Sequence, residues 1–131
     1  MPDEHVQLVR RAYEEGYSRR SVDPVRDITA AAFRFHMRPG FPGRPSYGAD
    51  EMTDIWADLE DTFSEYSIAP EAFESLGRHV LVTLRQNARM RGSDAWIDNT
   101  VWHLWDVTGG ILREAWTFDD RAEAVAAAAG R

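Results

Sequence analysis

Hydrophobic positions recur at two different spacings along this chain. Over its first half they lie three or four residues apart, which is the spacing of a helix that buries one side. The clearest such helix carries acidic residues on its other sides, and its stripe consists of Met52, Ile55, Trp56, Leu59, Thr62 and Phe63. After Phe63 the spacing changes to two, the period of a β-strand. The pattern therefore predicts helices first and strands afterwards.

The predicted elements follow a simple order along residues 1–131, and no linker divides them into two domains. They are a helix over 3–19, a short helix from Asp23-Pro24 to Ala32, a short strand over 33–38, an irregular Pro- and Gly-rich segment over 39–48, the helix that ends at Phe63, strands over 67–76 and 79–91, two strands within 96–120 joined by a Gly-Gly turn, and a helix over 120–129 capped by Asp120. Pro70 predicts an edge or a bulge in its strand. Helices ahead of an antiparallel meander predict an α+β fold, with helices covering one face of a curved sheet.

Residues 96–120 hold the most informative strands. Alternate side chains of a strand point to opposite faces. One face of the first strand carries Ile97, Asn99, Val101, His103 and Trp105, the other carries Trp96, Asp98, Thr100, Trp102 and Leu104, and one face of the second strand carries Leu112, Glu114, Trp116 and Phe118. A face that mixes large aromatic groups with a few polar ones is typical of a ligand pocket.

Composition narrows the classes of function. The net charge of −7 and a pI of about 5.0 give no overall electrostatic case for nucleic acid. No apolar run approaches the length of a membrane span, and the charged N-terminus lacks the apolar core of a signal peptide. The chain has no cysteine, and its histidines lack the spacing of a zinc site. A cytoplasmic protein without a metal or an organic cofactor is the expectation.

Five segments carry a resemblance to a known family. They are VRRAYEEGY, FHMRPG, YGADEM, RMRGSDAWID and DVTGGILREAWTFDD, and together with the order of elements they span essentially the whole chain. The chain resembles the nuclear transport factor 2-like superfamily, and most of all its SnoaL-like branch, which includes ketosteroid isomerases and polyketide cyclases. The resemblance implies a cone-shaped, curved antiparallel sheet that encloses a pocket with the N-terminal helices. It also implies a homodimer packed through the outer face of the sheet.

The resemblance assigns residues to the pocket. Compared with the ketosteroid isomerase pattern, the pocket face carries Gln86, Asn99, Val101, His103, Glu114, Trp116 and Phe118. Tyr13 matches the catalytic tyrosine on the first helix of that family. The acid that donates to the oxyanion would fall on Val101, and the aspartate base would fall near residues 36–38, where there is no carboxylate. A conventional steroid isomerase is therefore disfavoured.

Each candidate residue has a chemical and a structural interpretation. His103 and Glu114 are the candidate proton movers, because imidazole and a buried carboxyl can exchange protons near neutral pH. Both could equally be held by structural hydrogen bonds. The candidate groups for binding a carbonyl or anionic oxygen are Tyr13, Tyr17, His36, Arg38, Gln86 and Asn99, and those for gripping an apolar body are Trp56, Trp116 and Phe118. His36 and Arg38 share one strand face, which points either into the pocket or to its rim.

The leading hypothesis is a protein that binds a small hydrophobic, carbonyl-bearing molecule, either as an acid–base isomerase or cyclase or only as a binder. The rival is a non-catalytic binding or dimerisation module with a vestigial pocket. An epoxide hydrolase ranks lower, because Asp98 and Arg89 lie outside the predicted pocket by strand parity. Trp96 and Trp102 share the opposite face and predict a homodimer interface, since contiguous exposed apolar area usually marks one.

Overall fold

The structure is a computed structural model that describes residues 2–130, apart from the side chains of residues 2, 3 and 18. Helix α1 (Pro2–Arg11) continues as one π-helical turn (Ala12–Gly16) and a 3-10 turn (Tyr17–Arg19), and a second 3-10 helix spans Asp23–Ile28. The remaining elements are β1 (Thr29–His36), β2 (Ser46–Gly48), a 3-10 turn (Ala49–Glu51), α2 (Asp54–Thr62), β3 (Phe63–Leu76), β4 (His79–Met90), β5 (Trp96–Asp106), a 3-10 turn (Thr108–Gly110), β6 (Leu112–Phe118) and α3 (Arg121–Gly130).

The six strands form one sheet in the order β2-β1-β6-β5-β4-β3. Strands β3 to β6 are the predicted antiparallel meander. The α+β class is thus confirmed, but the sheet is mixed, because β1 pairs parallel to β6. The long path from β1 through α2 and the meander supplies the crossover that a parallel pair needs.

The segment around β1 differs from the prediction. The short helix ends at Ile28, and the strand begins at Thr29 rather than at residue 33. Alanine favours helices on its own, but residues 30–32 lie between Thr29 and Arg34, which both pair with β6, so tertiary context overrides local propensity. The irregular segment is also shorter than predicted, since its last residues, Ser46–Gly48, pair with β1.

Strand β3 forms one border of the sheet. It starts at Phe63, directly after α2, and pairs only with β4 among the strands of the described chain. Its register shifts between Pro70 and Ala72. The prediction of an edge or bulge at Pro70 is confirmed, because proline cannot donate to a sheet ladder.

The two faces of the sheet carry separate apolar clusters. The inner face and the N-terminal helices share the larger cluster, which includes Val9, Tyr13, Phe35, Ile55, Val82, Val101 and Trp105. The outer face carries Leu81 and Leu104, and Ala124 of α3 packs on them. The N-terminal helices cover the inner face as expected, and α3 in addition covers part of the outer face. The outer side of the sheet also presents large apolar side chains, and α3 folds back to bury them.

Helix α3 begins with a side-chain cap. The carboxylate of Asp120 accepts a hydrogen bond of 3.1 Å from the backbone N–H of Glu123. We expect Asp120→Ala to lower the free energy of unfolding by about 1 kcal/mol, because an N–H of the first turn loses its acceptor. Denaturant titration would measure this change. Asp120→Asn keeps an acceptor and should cost much less; equal losses in both variants would show that the cap is not the cause.

Candidate functional site

A hydrogen-bonded chain of three side chains lies on the inner face of the sheet. The indole N–H of Trp105 donates to the Tyr13 hydroxyl oxygen at 2.9 Å, and that hydroxyl lies 2.7 Å from Nδ1 of His103. Because the tyrosine oxygen accepts from Trp105, its own O–H is free to donate to His103. This arrangement fits a neutral imidazole whose proton is on Nε2. Trp105 and His103 come from one strand face, and Tyr13 reaches them from the helix above.

The π-helical turn contributes to this placement. Tyr13 lies within Ala12–Gly16, where the helix widens before it ends. Such turns occur as local bulges in α-helices and are frequent at functional sites. Gly16 ends the same turn at a position with little room for a side chain. A Cβ there would lie 3.1 Å from Cγ2 of Val25 and 3.3 Å from the carbonyl oxygen of Ser21. The widened turn can therefore pack against the next helix while Tyr13 keeps its contact with the sheet.

Aromatic rings enclose His103 almost completely. The side chain is 2% exposed, and the Phe35 ring meets it edge-on at 5.0 Å between ring centroids. Tyr13 stacks at 6.0 Å and Tyr17 tilts at 6.1 Å. Burial, with a further contribution from the positive charge of Arg38, lowers the pKa of His103 from 6.5 to about 3. The imidazole is neutral at physiological pH and is better suited to donate a hydrogen bond than to accept a proton.

The phenols near His103 are protonated for the same reason. Burial raises the pKa of Tyr13 well above its ordinary value, although the hydrogen bond from Trp105 opposes the shift. Burial also raises the pKa of Tyr17, and it raises that of Tyr66 to about 12. Neutral phenols can donate hydrogen bonds to an oxygen that gains negative charge.

A second polar network lies on the same face. Tyr66 donates to Oε1 of Gln86 at 2.7 Å, and Nε2 of Gln86 donates to Oδ1 of Asn99 at 2.9 Å. Gln86 is 2% exposed, so its amide depends on these partners for its hydrogen bonds. The sequence pattern predicted Gln86 and Asn99 on this face, whereas it missed Tyr66, because the predicted strand began one residue after it.

Arg38 connects the two networks electrostatically. Its charge acts on His103, Tyr17 and Tyr66. Its side chain is only 13% exposed, and its Nε lies 2.9 Å from a carboxylate oxygen of Asp119. The guanidinium also lies over the Phe41 ring, 4.3 Å from its centroid. Arg38 is thus a largely buried cation whose anionic partner is exposed. The N–H donors of its guanidinium that Asp119 does not use remain available on the interior side.

A cavity of about 360 Å³ lies beside Arg38. We call it the Arg38 cavity. Its polar lining groups are Arg38, Gln86 and Asn99, and its apolar lining groups include Phe41, Pro42, Phe63, Met90 and Ile97. Apolar walls with a few convergent polar groups are the usual composition of a small-molecule site.

Glu114, Trp116 and Phe118 do not face the cavity, so their placement on the pocket face was wrong. Pairing of β5 with β6 sets Trp116 opposite Leu104 and Phe118 opposite Trp102. Paired residues share a face, and this one is the outer face, where both aromatic side chains pack near α3. The inner positions of β6 include Leu112 and Ala115, which belong to the inner cluster, and Thr117, which pairs with His103.

His36 also lies on the outer face. It pairs in register with Trp116, stacks on that ring at 5.9 Å between centroids, and places Nε2 2.5 Å from Oε2 of Glu114. His36 and Arg38 are therefore separated, because β1 ends at His36 and Arg38 lies in the irregular segment that follows. Glu114 serves as the partner of His36 and does not reach His103.

The remaining aromatic candidates divide between the two sides. Tyr17 and Trp56 are inside and meet edge-to-face at 5.6 Å. Trp102 packs against the cluster beneath α3, whereas Trp96 is 55% exposed and lies near Arg89. Asp98 is also outside and forms an ion pair with Arg85 at 2.6 Å. The ligand and interface roles of these residues stay predictions.

Within the part of the chain that the structure describes, no group of three or more His, Cys, Asp or Glu side chains is placed to hold a metal ion. None of the helices within residues 2–130 has the length and apolar character needed to cross a membrane.

Comparison with solved structures defines the fold. An NTF2-like protein from Burkholderia thailandensis is 23% identical and superposes with a TM-score of 0.76, covering 92% of this chain and 95% of its own. A candidate SnoaL-like polyketide cyclase from a Jannaschia species is 19% identical, with a TM-score of 0.70 over 99% and 94% of the two chains. TerC, co-crystallised with polyporic acid, is 14% identical, with a TM-score of 0.73 over 92% and 94%.

The chain therefore has the nuclear transport factor 2-like fold, and the resemblance seen in the sequence is confirmed at that level. Similar structures include SnoaL-like and ketosteroid isomerase-like proteins. No sequence-family profile matches the chain. No curated protein matches it either.

Proposed function

We propose that the protein binds a small hydrophobic molecule through a carbonyl or enolate oxygen in the Arg38 cavity. The observation that carries the proposal is the position of Arg38, a largely buried cation beside the Gln86 and Asn99 amides and among apolar walls. A guanidinium and amide donors recognise a partly negative oxygen, while Phe41 and Phe63 suit a ring system. TerC, with its polyporic acid, is a precedent within this fold for binding an organic molecule.

Arg38→Met tests this proposal directly. The substitution keeps an unbranched side chain but removes the charge and the donors, and we expect it to weaken binding at least about tenfold, since a charge-assisted hydrogen bond contributes roughly 1.5–3 kcal/mol. Thermal-shift screening of lipophilic ketones and aromatic polyketides would first find a ligand, and calorimetry would then measure its affinity for each variant.

Arg34→Met is the matched control. Arg34 lies on β1, is exposed, and contacts Ser46 and Glu51 rather than the cavity. The Arg34→Met variant should bind the ligand as tightly as the unsubstituted protein does. Equal affinity of the two variants would contradict the proposed role of Arg38, and the absence of any stabilising ligand in the screen would contradict the binding function.

A second candidate function is acid–base isomerisation or cyclisation of such a molecule, favoured by the Tyr13–His103 hydrogen bond. The ligand oxygen would accept from Arg38 and, once the aromatic rings that enclose His103 move apart, from the neutral imidazole. The low pKa of His103 favours hydrogen-bond donation over proton abstraction. Turnover that survives in His103→Gln with an unchanged pH profile would exclude His103 from the reaction.

A further inference from the structure

A second cavity lies beside Trp105, between the N-terminal helices and β1. It measures about 280 Å³, and Trp105 forms part of its wall; we call it the Trp105 cavity. Among the described residues it shares no lining residue with the Arg38 cavity. The two cavities thus have different walls.

The walls of the Trp105 cavity are apolar and aromatic. Trp105, Trp56, Tyr17 and Phe33 contribute rings, and small residues such as Ala12 and Ala49 leave the space open between them. Aromatic side chains pair with a further ring edge-to-face or in offset stacks. A cavity of about 150 Å³ lined by apolar side chains already admits benzene, so this one has room for one or two rings.

The charges at this cavity neutralise each other. Arg26 and Asp50 both line it and form a hydrogen-bonded ion pair that joins the 3-10 helix Asp23–Ile28 to the turn before α2. Arg26 also lies 3.1 Å from Asp23. With its guanidinium held by two carboxylates, Arg26 offers little to an anionic ligand. The ligand class that fits is neutral.

We propose that the Trp105 cavity is a second binding site, specific for a neutral molecule of one or two aromatic rings. The site is independent of the proposed function of the Arg38 cavity, because the two have different walls, and the paired charges at the Trp105 cavity neutralise each other whereas Arg38 makes the other cavity cationic. A ligand in this cavity would contact Trp105. Because the N–H of Trp105 donates to the Tyr13 hydroxyl, the ligand would lie next to the hydrogen-bonded chain that leads to His103.

The five tryptophans provide a site-resolved test with p-cresol as the probe. Trp56 and Trp105 line this cavity, whereas Trp96, Trp102 and Trp116 do not. In NMR spectra of the full chain, we expect p-cresol to shift the indole N–H signals of Trp56 and Trp105 saturably and to leave the other three in place. Unshifted Trp56 and Trp105 signals, or equal shifts of all five, would overturn the proposal.

Ala49→Phe should fill the cavity and weaken p-cresol binding at least about tenfold, because the new ring occupies the space that the ligand would take. Ala57→Phe places the same ring on the exposed side of α2 and should change nothing. If Ala49→Phe fails to fold, Ala49→Leu fills less of the space and is expected to weaken binding in the same direction. Arg38→Met should bind p-cresol normally, so loss of the Arg38 function and loss of this site are separable. Unchanged affinity in a folded Ala49 variant would contradict the site.

Discussion

Tyr13→Phe is expected to lower the free energy of unfolding by about 2–4 kcal/mol, because it removes one hydroxyl but leaves two buried groups without a partner. The N–H of Trp105 loses its acceptor, and Nδ1 of His103 loses its donor. Both side chains are nearly inaccessible to water, at 3% and 2% exposure, so solvent cannot replace the hydroxyl. Denaturant titration at neutral pH would measure the loss.

Tyr17→Phe is the matched control for this effect. Tyr17 follows Tyr13 by one turn and packs on the same rings, but its hydroxyl lies outside the Trp105–Tyr13–His103 chain. We expect it to cost less than about 1 kcal/mol, the size of an ordinary hydrogen bond. Similar losses in both variants would mean that ring packing, rather than the hydroxyl, gives Tyr13 its importance.

The stability of the protein is expected to fall as the pH drops below 6.5, with His103 as a major cause. The pKa of His103 is about 3 in the folded protein, against its ordinary value of 6.5 in the unfolded chain. Between these pH values the unfolded chain therefore binds a proton that the folded protein does not. The contribution is fully present above pH 6.5 and is lost as the pH falls toward 3, with a slope of up to about 1.4 kcal/mol per pH unit.

His103→Gln isolates this contribution. Carboxylates also titrate below pH 5, but they do so in both proteins, so the difference between the two stability profiles reports His103. We expect the profile of the variant to be flatter between pH 6.5 and 4. An NMR titration gives a direct measurement, in which the imidazole of His103 should stay neutral from pH 8 to 5. A midpoint near 6.5 would contradict the enclosed state of the side chain.

The alternation of β4 and β5 could be predicted from the sequence because each strand has distinct faces. Val82, Leu84 and Gln86 were assigned to one side, and the structure buries them together. Within β5 the same reasoning grouped His103 with Asn99 and Trp105 on the inner face. Period-two patterns are reliable within a strand whose two sides differ in polarity.

The relation between neighbouring strands could not be predicted in this way. Strand β6 carries aromatic groups at alternate positions, and the outer face of β5 is aromatic too, so hydrophobicity did not show which faces match. Register depends on the turn between them, and a shift of one residue exchanges the faces. For that reason Trp116 was assigned to the pocket although it packs outside.

The contacts that join β1 to β6 were equally hidden. They link residues about eighty positions apart, as in the pair of His36 with Trp116. Local propensity carries no information about such pairs, and the alanines of β1 favoured a helix on their own. The separation of Arg38 from His36 follows from where β1 ends, which this distant pairing determines.

The border position of β3 bears on how copies of the protein can meet. A strand of 14 residues at a sheet border would ordinarily invite a second chain to extend the sheet, with aggregation as the result. Here the bulge at Pro70 interrupts the row of free backbone groups, and Glu65 and Glu71 place negative charge along it, whereas Glu74 pairs with Arg121. Lateral strand addition between two such acidic borders is discouraged, so the protein is protected from polymerising through its longest strand.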